Sequence, residues 1–180
     1  MNHRKTLCLL LMFFGLVGCS RQQASSDEHS VSSTSRSIAP GEIGSYLPAF
    51  DVKDLWGDEI SSEAVRGKVV LVDIWATWCQ PCRKEMPEYQ KLLDRYGPRG
   101  FAVIGLKSNM MMDTQDPLRF AKEIGVHYPL VSASSELIEK FSQVEGLPTT
   151  MVYDRQGVLR KKVIGFDYAE NFESTLKPLL

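Results

Sequence analysis

Two cysteines separated by Gln80 and Pro81 follow a continuous apolar run, and this arrangement restricts the fold more than any other feature of the chain. The run, residues 69–75, is rich in β-branched side chains and is typical of a strand buried on both faces. Residues 83–96 then place apolar side chains at helical spacing and stop before Gly97. The cysteine pair therefore lies at a predicted strand-to-helix junction, which favours an α/β protein.

The spacing of Cys79 and Cys82 brings their sulfur atoms close enough to form a disulfide. The first sulfur can lie at the helix N-terminus, where free N–H groups and the helix dipole favour an anion. Such surroundings lower the pKa of a thiol, and the thiolate is its reactive form. The pair therefore indicates thiol–disulfide exchange.

The N-terminus has the pattern of a secretory signal peptide. Arg4 and Lys5 precede an apolar run, residues 7–17, which is shorter than the ~20 residues of a membrane-spanning helix. The run ends in Gly18-Cys19, which resembles the lipobox of bacterial lipoproteins. We predict a signal peptide over residues 1–18 and a lipidated Cys19 that anchors the protein to a membrane on its extracytoplasmic, periplasmic side. The alternative is an ordinary signal peptide with a chance cysteine.

Composition favours one soluble globular domain after a flexible tether. Residues 20–37 are Ser-rich and almost without apolar side chains, so we predict a tether over residues 19–39 and a domain over residues 40–180. The 180-residue chain is 43% hydrophobic and 24% charged, which suits a single packed core. Its net charge of −1 indicates no nucleic-acid partner. We also expect a monomer.

Further strands and helices are predicted along the domain. A hairpin turns at residues 57–58, Asp116 can cap a helix ending near Ile124, and a second hairpin surrounds residues 154–157. The remaining predicted segments are strands 101–106 and 128–131 and helices 134–144 and 168–179. The order hairpin, β, α, β, α, β, α, β, β, α predicts a mixed central sheet flanked by helices.

Residues 70–87, with the later Gly-Leu-Pro-Thr-Thr of residues 146–150, resemble the TlpA/ResA-like branch of the thioredoxin superfamily. The resemblance spans residues 43–180. It implies a thioredoxin-like α/β fold with an N-terminal β-hairpin and a mid-domain α/β insert near residues 116–131. It also implies a thiol–disulfide oxidoreductase in which an exposed Cys79 attacks and a covered Cys82 resolves the mixed disulfide.

The same resemblance assigns roles around the cysteines. Pro148 matches a cis-proline that shapes the substrate groove and keeps metals off the thiols, and the alternative is a trans-proline opening a strand. The Leu147 backbone would bind an extended substrate through strand-like hydrogen bonds. We expect Trp78 on the substrate-facing surface and Trp75 in the core.

Two acids are candidates for proton transfer. Asp73 occupies the position of the buried acid of thioredoxin, where burial should raise its pKa and let it exchange a proton with Cys82. The alternative is a structural ion pair with a lysine such as Lys107. Glu85 matches a glutamate that ResA-like proteins place near the active site, and the alternative is a solvated helix charge. We hypothesise that the two acids share the proton transfer.

The resemblance implies client proteins with reducible disulfides, among them the haem-attachment site of apocytochromes c, and a membrane thiol-electron carrier. It implies no cofactor and no metal, and a half zinc site is disfavoured because zinc needs four ligands. Two alternatives stay open: net oxidation of client thiols, and a Cu(I) metallochaperone using the thiolates and a methionine of residues 110–112. Peroxide reduction needs a different cysteine motif, which the sequence does not show.

Overall fold

The computed structural model describes residues 38–110 and 113–180. The predicted signal peptide, the lipidated Cys19, most of the tether, Met111 and Met112 lie outside the described residues. The strands are β1 Asp51–Lys53, β2 Glu59–Ser61, β3 Val69–Trp75, β4 Phe101–Lys107, β5 Leu130–Ser132, β6 Thr149–Tyr153 and β7 Leu159–Ile164. The helices are α1 Gln80–Tyr96, α2 Pro117–Glu123, α3 Ser135–Phe141 and α4 Ala169–Leu176, with a 3-10 helix Gly97–Arg99 after α1. This order of elements confirms the predicted order.

A five-stranded mixed sheet forms the centre of the domain, in the order β5-β4-β3-β6-β7. Strand β3 pairs in parallel with β4 and antiparallel with β6, while β1 and β2 form the separate N-terminal hairpin. Every residue of β3 is buried, because strands cover both of its edges and apolar clusters cover both of its faces. The predicted mixed central sheet flanked by helices, with an N-terminal β-hairpin, is confirmed.

Alternate residues of β3 enter two separate hydrophobic clusters. Leu71 and Trp75 pack in one cluster with the inner faces of α1, α2 and α4, and the two cysteines belong to this cluster. Val70, Val72 and Ile74 pack in the other cluster, with α3 and the hairpin. Since side chains alternate along a strand, Asp73 points to the cysteine-containing face.

Several boundaries differ from the sequence-based prediction for local reasons. Helix α1 begins at Gln80, before the predicted residue 83, because Cys79 caps it and Pro81 fits its first turn. Strand β5 begins only at Leu130, because the backbone N–H and carbonyl of Tyr128 form hydrogen bonds with side chains and not with a neighbouring strand. Its N–H donates to Gln90 Oε1 at 3.2 Å, and its carbonyl accepts from Trp56 Nε1 at 3.2 Å.

Other segments follow their capping residues. Asp116 Oδ1 accepts from the N–H of Leu118 at 2.9 Å, which confirms the predicted cap of α2. Helix α3 ends at Phe141 because Ser142 adopts an extended backbone with φ −169°. Among the helices of residues 38–110 and 113–180, none has the length and apolarity needed to cross a membrane.

Candidate active site

The cysteine pair lies where β3 passes into α1. Cys79 is the N-cap residue of the helix, and its Sγ accepts the N–H of Cys82 at 3.2 Å. The two sulfur atoms form a disulfide of 1.96 Å, with 5.3 Å between the Cα atoms. On reduction, Cys79 would therefore place its sulfur at the positive end of the helix dipole, which favours the thiolate.

Both cysteines are covered in this disulfide-bonded state. Cys79 is 3% exposed and Cys82 is 0% exposed. The prediction of an exposed Cys79 is therefore wrong, because Cys79 belongs to the buried hydrophobic cluster that also holds Cys82 and Trp75. The attacking role of Cys79 and the resolving role of Cys82 stay predictions.

The Leu147–Pro148 peptide bond is cis, so the alternative of a trans-proline is wrong. Ile74 pairs with Thr149 in the antiparallel β3–β6 register. This register puts Pro148 beside the C-terminal end of β3, from which the chain enters the cysteine segment. Leu147 is half-buried and packs against both hydrophobic clusters. The cis-proline and the cysteines thus lie at the same end of the central strands, where β3 ends and β6 begins. The substrate-binding role of Leu147 stays a prediction.

The two tryptophans have different surroundings. Trp75 is fully buried and stacks on Phe120 with 5.2 Å between ring centroids, which confirms its predicted place in the core. Trp78 is 43% exposed, and its Nε1 donates to the carbonyl of Met110 at 3.3 Å. An exposed aromatic ring directly before Cys79 suits a contact surface, and its substrate-facing role stays a prediction.

Asp73 is a carboxyl group fully enclosed in the protein. Its Oδ1 accepts from Thr150 Oγ1 at 3.4 Å, and its Oδ2 has no hydrogen-bond partner among the described residues. Burial raises the pKa of Asp73 well above its ordinary value, the negative charge of Glu85 raises it further, and the Thr150 hydrogen bond opposes both. The predicted direction of this pKa shift is confirmed.

Lys107 is not the partner of Asp73. Its Nζ lies 3.3 Å from Asp113 Oδ2 in an ion pair whose side chains are almost completely buried. The N–H of Thr77 also donates to Asp113 Oδ2, at 2.9 Å. The predicted alternative of an Asp73–Lys107 pair is therefore wrong. Asp113 instead joins the loop after β4 to Lys107 and to Thr77, which lies in the segment before the cysteines.

Glu85 is also buried, with 2% of its surface exposed, so the alternative of a solvated helix charge is wrong. Its Oε1 accepts the N–H of Asp167 at 2.5 Å, and its Oε2 accepts the hydroxyl of Tyr89 at 3.1 Å. Burial is the largest influence and raises the pKa of Glu85 to about 7. The two hydrogen bonds lower this pKa, and the carboxylate of Asp167 raises it. Glu85 therefore titrates near neutral pH.

Tyr89 and Thr150 are the residues that the sequence analysis missed. The Tyr89 hydroxyl lies 3.0 Å from Thr150 Oγ1, so these two side chains bridge the space between Glu85 and Asp73. In the sequence, Tyr89 is one more large side chain on the buried face of a helix, and Thr150 belongs to a strand 61 residues away. Only the pairing of Asp73 with Thr150 in the β3–β6 register could have indicated the contact.

Comparisons with known proteins agree with this geometry. Residues 43–162 match the model of the AhpC/TSA family. The thiol-disulfide oxidoreductase ResA of Bacillus cereus is 32% identical over 140 residues, which cover 77% of this chain and 79% of ResA. The thioredoxin-like protein YneN of Bacillus subtilis is 31% identical over 134 residues, covering 74% of this chain and 78% of YneN.

Solved structures show the same fold. A crystal structure of a thioredoxin-family thiol:disulfide interchange protein from Chlorobium tepidum superposes with a TM-score of 0.69 at 28% identity, covering 77% of this chain and 97% of that one. StoA from Bacillus subtilis superposes with a TM-score of 0.60 at 25% identity, covering 71% and 95%. The family model matches more than half of this chain, so the chain belongs to the AhpC/TSA family and has a thioredoxin-like fold.

Proposed function

We propose that this chain, a thiol–disulfide oxidoreductase by its relatives and its Cys-x-x-Cys pair, reduces disulfides of client proteins outside the cytoplasm. The observation that carries the proposal is the Cys79–Cys82 disulfide. Cys79 is the N-cap of α1, at the end of the central strands where the cis Pro148 also lies. That arrangement gives one sulfur a helix N-terminus and gives its partner a position from which to displace a captured substrate.

In the proposed reaction, the Cys79 thiolate attacks a client disulfide, and one client sulfur leaves as a thiolate. Cys82 then loses its proton and attacks Cys79 Sγ in the mixed disulfide, which releases the second client sulfur. The client gains two electrons and, in all, two protons, and the enzyme keeps the Cys79–Cys82 disulfide. An electron donor of the membrane, itself a dithiol, would restore the reduced pair.

The proton steps need a group that can accept a proton from a thiol and return it. Asp73 lies in β3 on the cysteine-containing face, and its raised pKa lets it accept the proton that Cys82 loses. The other candidate is Glu85, with a pKa of about 7. His127, the one histidine of residues 40–180, packs beside Trp56 of the hairpin region with 6.3 Å between ring centroids. The two acids are therefore the proposed proton carriers.

The N-terminal sequence supports an extracytoplasmic location. A basic start, a short apolar run and Gly18-Cys19 fit a signal peptide whose cleavage leaves a lipidated Cys19. The Ser-rich tether would then let the domain reach clients near the membrane. Apocytochromes c, whose haem-attachment cysteines must be reduced before haem is attached, are the client class that we propose to test first.

Reduction of insulin by the full chain tests the activity. With dithiothreitol as donor, we expect the wild-type protein to accelerate insulin reduction and Cys79→Ser to abolish that acceleration. Cys82→Ser should instead accumulate mixed disulfides, which can be isolated from cells and identified. A wild-type protein that does not accelerate insulin reduction, but binds one Cu(I) through its thiols, would overturn the proposal in favour of the metallochaperone.

The direction of electron flow needs a separate measurement. Equilibration of the Cys79/Cys82 couple with glutathione gives its potential, and rapid alkylation in cells gives its steady-state redox form. We expect a couple that is mostly reduced in cells. A couple that is mostly oxidised, in cells that accumulate unpaired client thiols when the protein is deleted, would instead identify a net oxidant.

A further inference from the structure

Four buried side chains form a continuous line from the acid of β3 to the acid of α1. Asp73 Oδ1, Thr150 Oγ1, Tyr89 Oη and Glu85 Oε2 follow one another at 3.4, 3.0 and 3.1 Å. The exposed fractions of these residues are 0%, 0%, 1% and 2%, in the same order. The line therefore consists of two carboxyl groups at its ends and two hydroxyl groups between them, with little access of water along its length.

The number of protons that this line can hold follows from its chemistry. Three oxygen–oxygen contacts need one hydrogen each, and the hydroxyls of Thr150 and Tyr89 supply one hydrogen apiece. Burial raises the pKa of Tyr89 well above its ordinary value, so its hydroxyl keeps its hydrogen at neutral pH. If both carboxyls were ionised, two hydrogens would serve three contacts, and one contact would bring two oxygens together without a hydrogen. If both carboxyls were protonated, there would be four hydrogens, and one of them would have no acceptor within the line.

One carboxyl proton completes the line. When Glu85 holds it, Glu85 donates to Tyr89, Tyr89 to Thr150 and Thr150 to Asp73. When Asp73 holds it, all three hydrogen bonds point the other way. We propose that Asp73 and Glu85 share a single proton through the hydroxyls of Tyr89 and Thr150, and that this proton passes between the two acids by reversal of the three hydrogen bonds.

The two ends of the line face different surroundings. At one end, Asp73 Oδ2 has no hydrogen-bond partner among the residues that the structure describes, and it remains available for proton exchange on the cysteine-containing face. At the other end, Glu85 borders a surface cleft of about 310 Å³ that it shares with Asp167 and Tyr168. A proton that enters at Glu85 can therefore appear at Asp73 without solvent reaching Asp73. The use of this proton in thiol chemistry rests on the proposed function, whereas the sharing does not.

At the Glu85 end, burial and the negative charge of Asp167 favour the protonated acid, whereas the two hydrogen bonds that Glu85 accepts oppose it. Asp167 donates its N–H to Glu85, and its side chain adds a negative charge. Lys161 Nζ lies 3.0 Å from Asp167 Oδ2 and partly offsets that charge. Other titratable groups that border the cleft are Lys84, Glu88, Tyr168 and Glu170. At the Asp73 end, the titratable groups that interact with the carboxyl are Glu85, Tyr89 and Tyr128.

The contact between Thr150 and Asp73 is the weakest of the three. At 3.4 Å it is longer than an ordinary O–H···O bond, and it must shorten by roughly 0.6 Å to reach a typical length. Thr150 and Tyr89 act here as positioning residues, because each holds a proton in place between two acids. Their removal should alter the titration of the acids more than it alters the fold.

Carbon-13 NMR titration of the side-chain carboxyls in the full-length oxidised protein tests the sharing. Coupled groups titrate in two macroscopic steps that both carboxyls report. We expect two well-separated steps in the wild-type protein, each visible at both Asp73 and Glu85. Because the line stabilises only the state with one proton, Tyr89→Phe and Thr150→Val should each bring the two steps closer by about one pH unit, the equivalent of one lost hydrogen bond.

Two further variants serve as controls. Tyr153→Phe removes a buried hydroxyl whose hydrogen-bond contact among the described residues is Met151 Sδ at 3.6 Å, and it should leave both steps unchanged. Thr150→Ser keeps the hydroxyl and should restore the separation lost in Thr150→Val. Unchanged carboxyl titrations in both Tyr89→Phe and Thr150→Val, with both proteins folded, would overturn the proposal.

The outcome is separable from the test of the proposed function. An unchanged NMR titration in a protein that reduces insulin refutes the shared proton alone. A protein that shows the coupled titration but does not reduce insulin refutes the oxidoreductase proposal alone.

Discussion

Glu85→Gln should remove the share of the stability loss that ionisation of Glu85 causes between mildly acidic and mildly alkaline pH. In the folded state the pKa of Glu85 is about 7, compared with 4.5 for the free side chain. A carboxyl whose pKa is raised by folding stabilises the folded state while it is protonated. That contribution is complete below pH 4.5 and disappears as the pH rises through 7. Glutamine keeps the shape of the protonated acid and cannot ionise.

The expected size follows from the two pKa values. Their difference, 7 minus 4.5, corresponds to about 3 kcal/mol at 1.36 kcal/mol per pH unit. The substituted glutamine can still accept the Asp167 N–H with its carbonyl, and its amide can donate to the Tyr89 hydroxyl, so little packing is lost. The wild-type protein should therefore lose about 2.5 kcal/mol more than the variant between pH 5 and pH 8, because part of the contribution is already lost at pH 5.

Urea denaturation of the oxidised protein at several pH values measures this difference. The control is Glu88→Gln, which removes a more exposed carboxylate from the same helix, paired with Lys91 at 2.7 Å. Its unfolding free energy should change by well under ~1 kcal/mol and follow the wild-type pH dependence. The carboxyls whose pKa values folding lowers, such as Asp154 and Asp167, change the stability below this pH range. Asp73, whose pKa folding raises, is present in all three proteins, so the comparison isolates Glu85. A Glu85→Gln protein that loses as much stability as the wild type between pH 5 and pH 8 would refute the reasoning.

Two further predictions concern packing around the site. Asp113→Asn leaves the buried Lys107 ammonium without its counter-ion and should cost about 3–5 kcal/mol of unfolding free energy, whereas replacing both residues by apolar ones should recover part of that loss in the same denaturation assay. If the single and double variants are equally unstable, the ion pair is not the cause. Gly105→Ala should cost about 1–3 kcal/mol because its new Cβ would lie 2.5 Å from Leu130 Cδ2. Gly97→Ala places its Cβ 3.5 Å from the nearest side-chain atom and serves as the matched control, so equal losses in the two variants would contradict this explanation.

Much of the fold could be predicted from local patterns. The fully buried β3 and β6 are evident as apolar or β-branched runs, because burial selects such side chains. Strand β7 is evident as the second arm of a hairpin, because turn residues precede it. The cap of α2 at Asp116 was predictable for the same reason. The start of β5 was not predictable from local patterns, because it depends on hydrogen bonds from the Tyr128 backbone to the distant side chains of Trp56 and Gln90.

The candidate site shows the same division. Cys79, Cys82 and Pro148 were predictable because each carries its chemistry in its own residue type and in its immediate neighbours. The partner of Lys107 was not, because a lysine at the end of a strand can reach several acids and only the folded loops determine that it meets Asp113. The coverage of Cys79 was also not predictable, since it depends on the packing of three helices against one face of the sheet.

The amino-acid sequence by itself determined the redox pair, its place between a strand and a helix, and the presence of an acid within that strand. Those properties are local, because they depend on residue type and on spacings of a few positions. Only the tertiary structure decided that the two acids are joined by Tyr89 and Thr150, and that Glu85 is buried and not solvated. The physical reason is that hydrogen bonding and desolvation depend on which atoms surround a group, and those atoms come from strands and helices far apart in the chain.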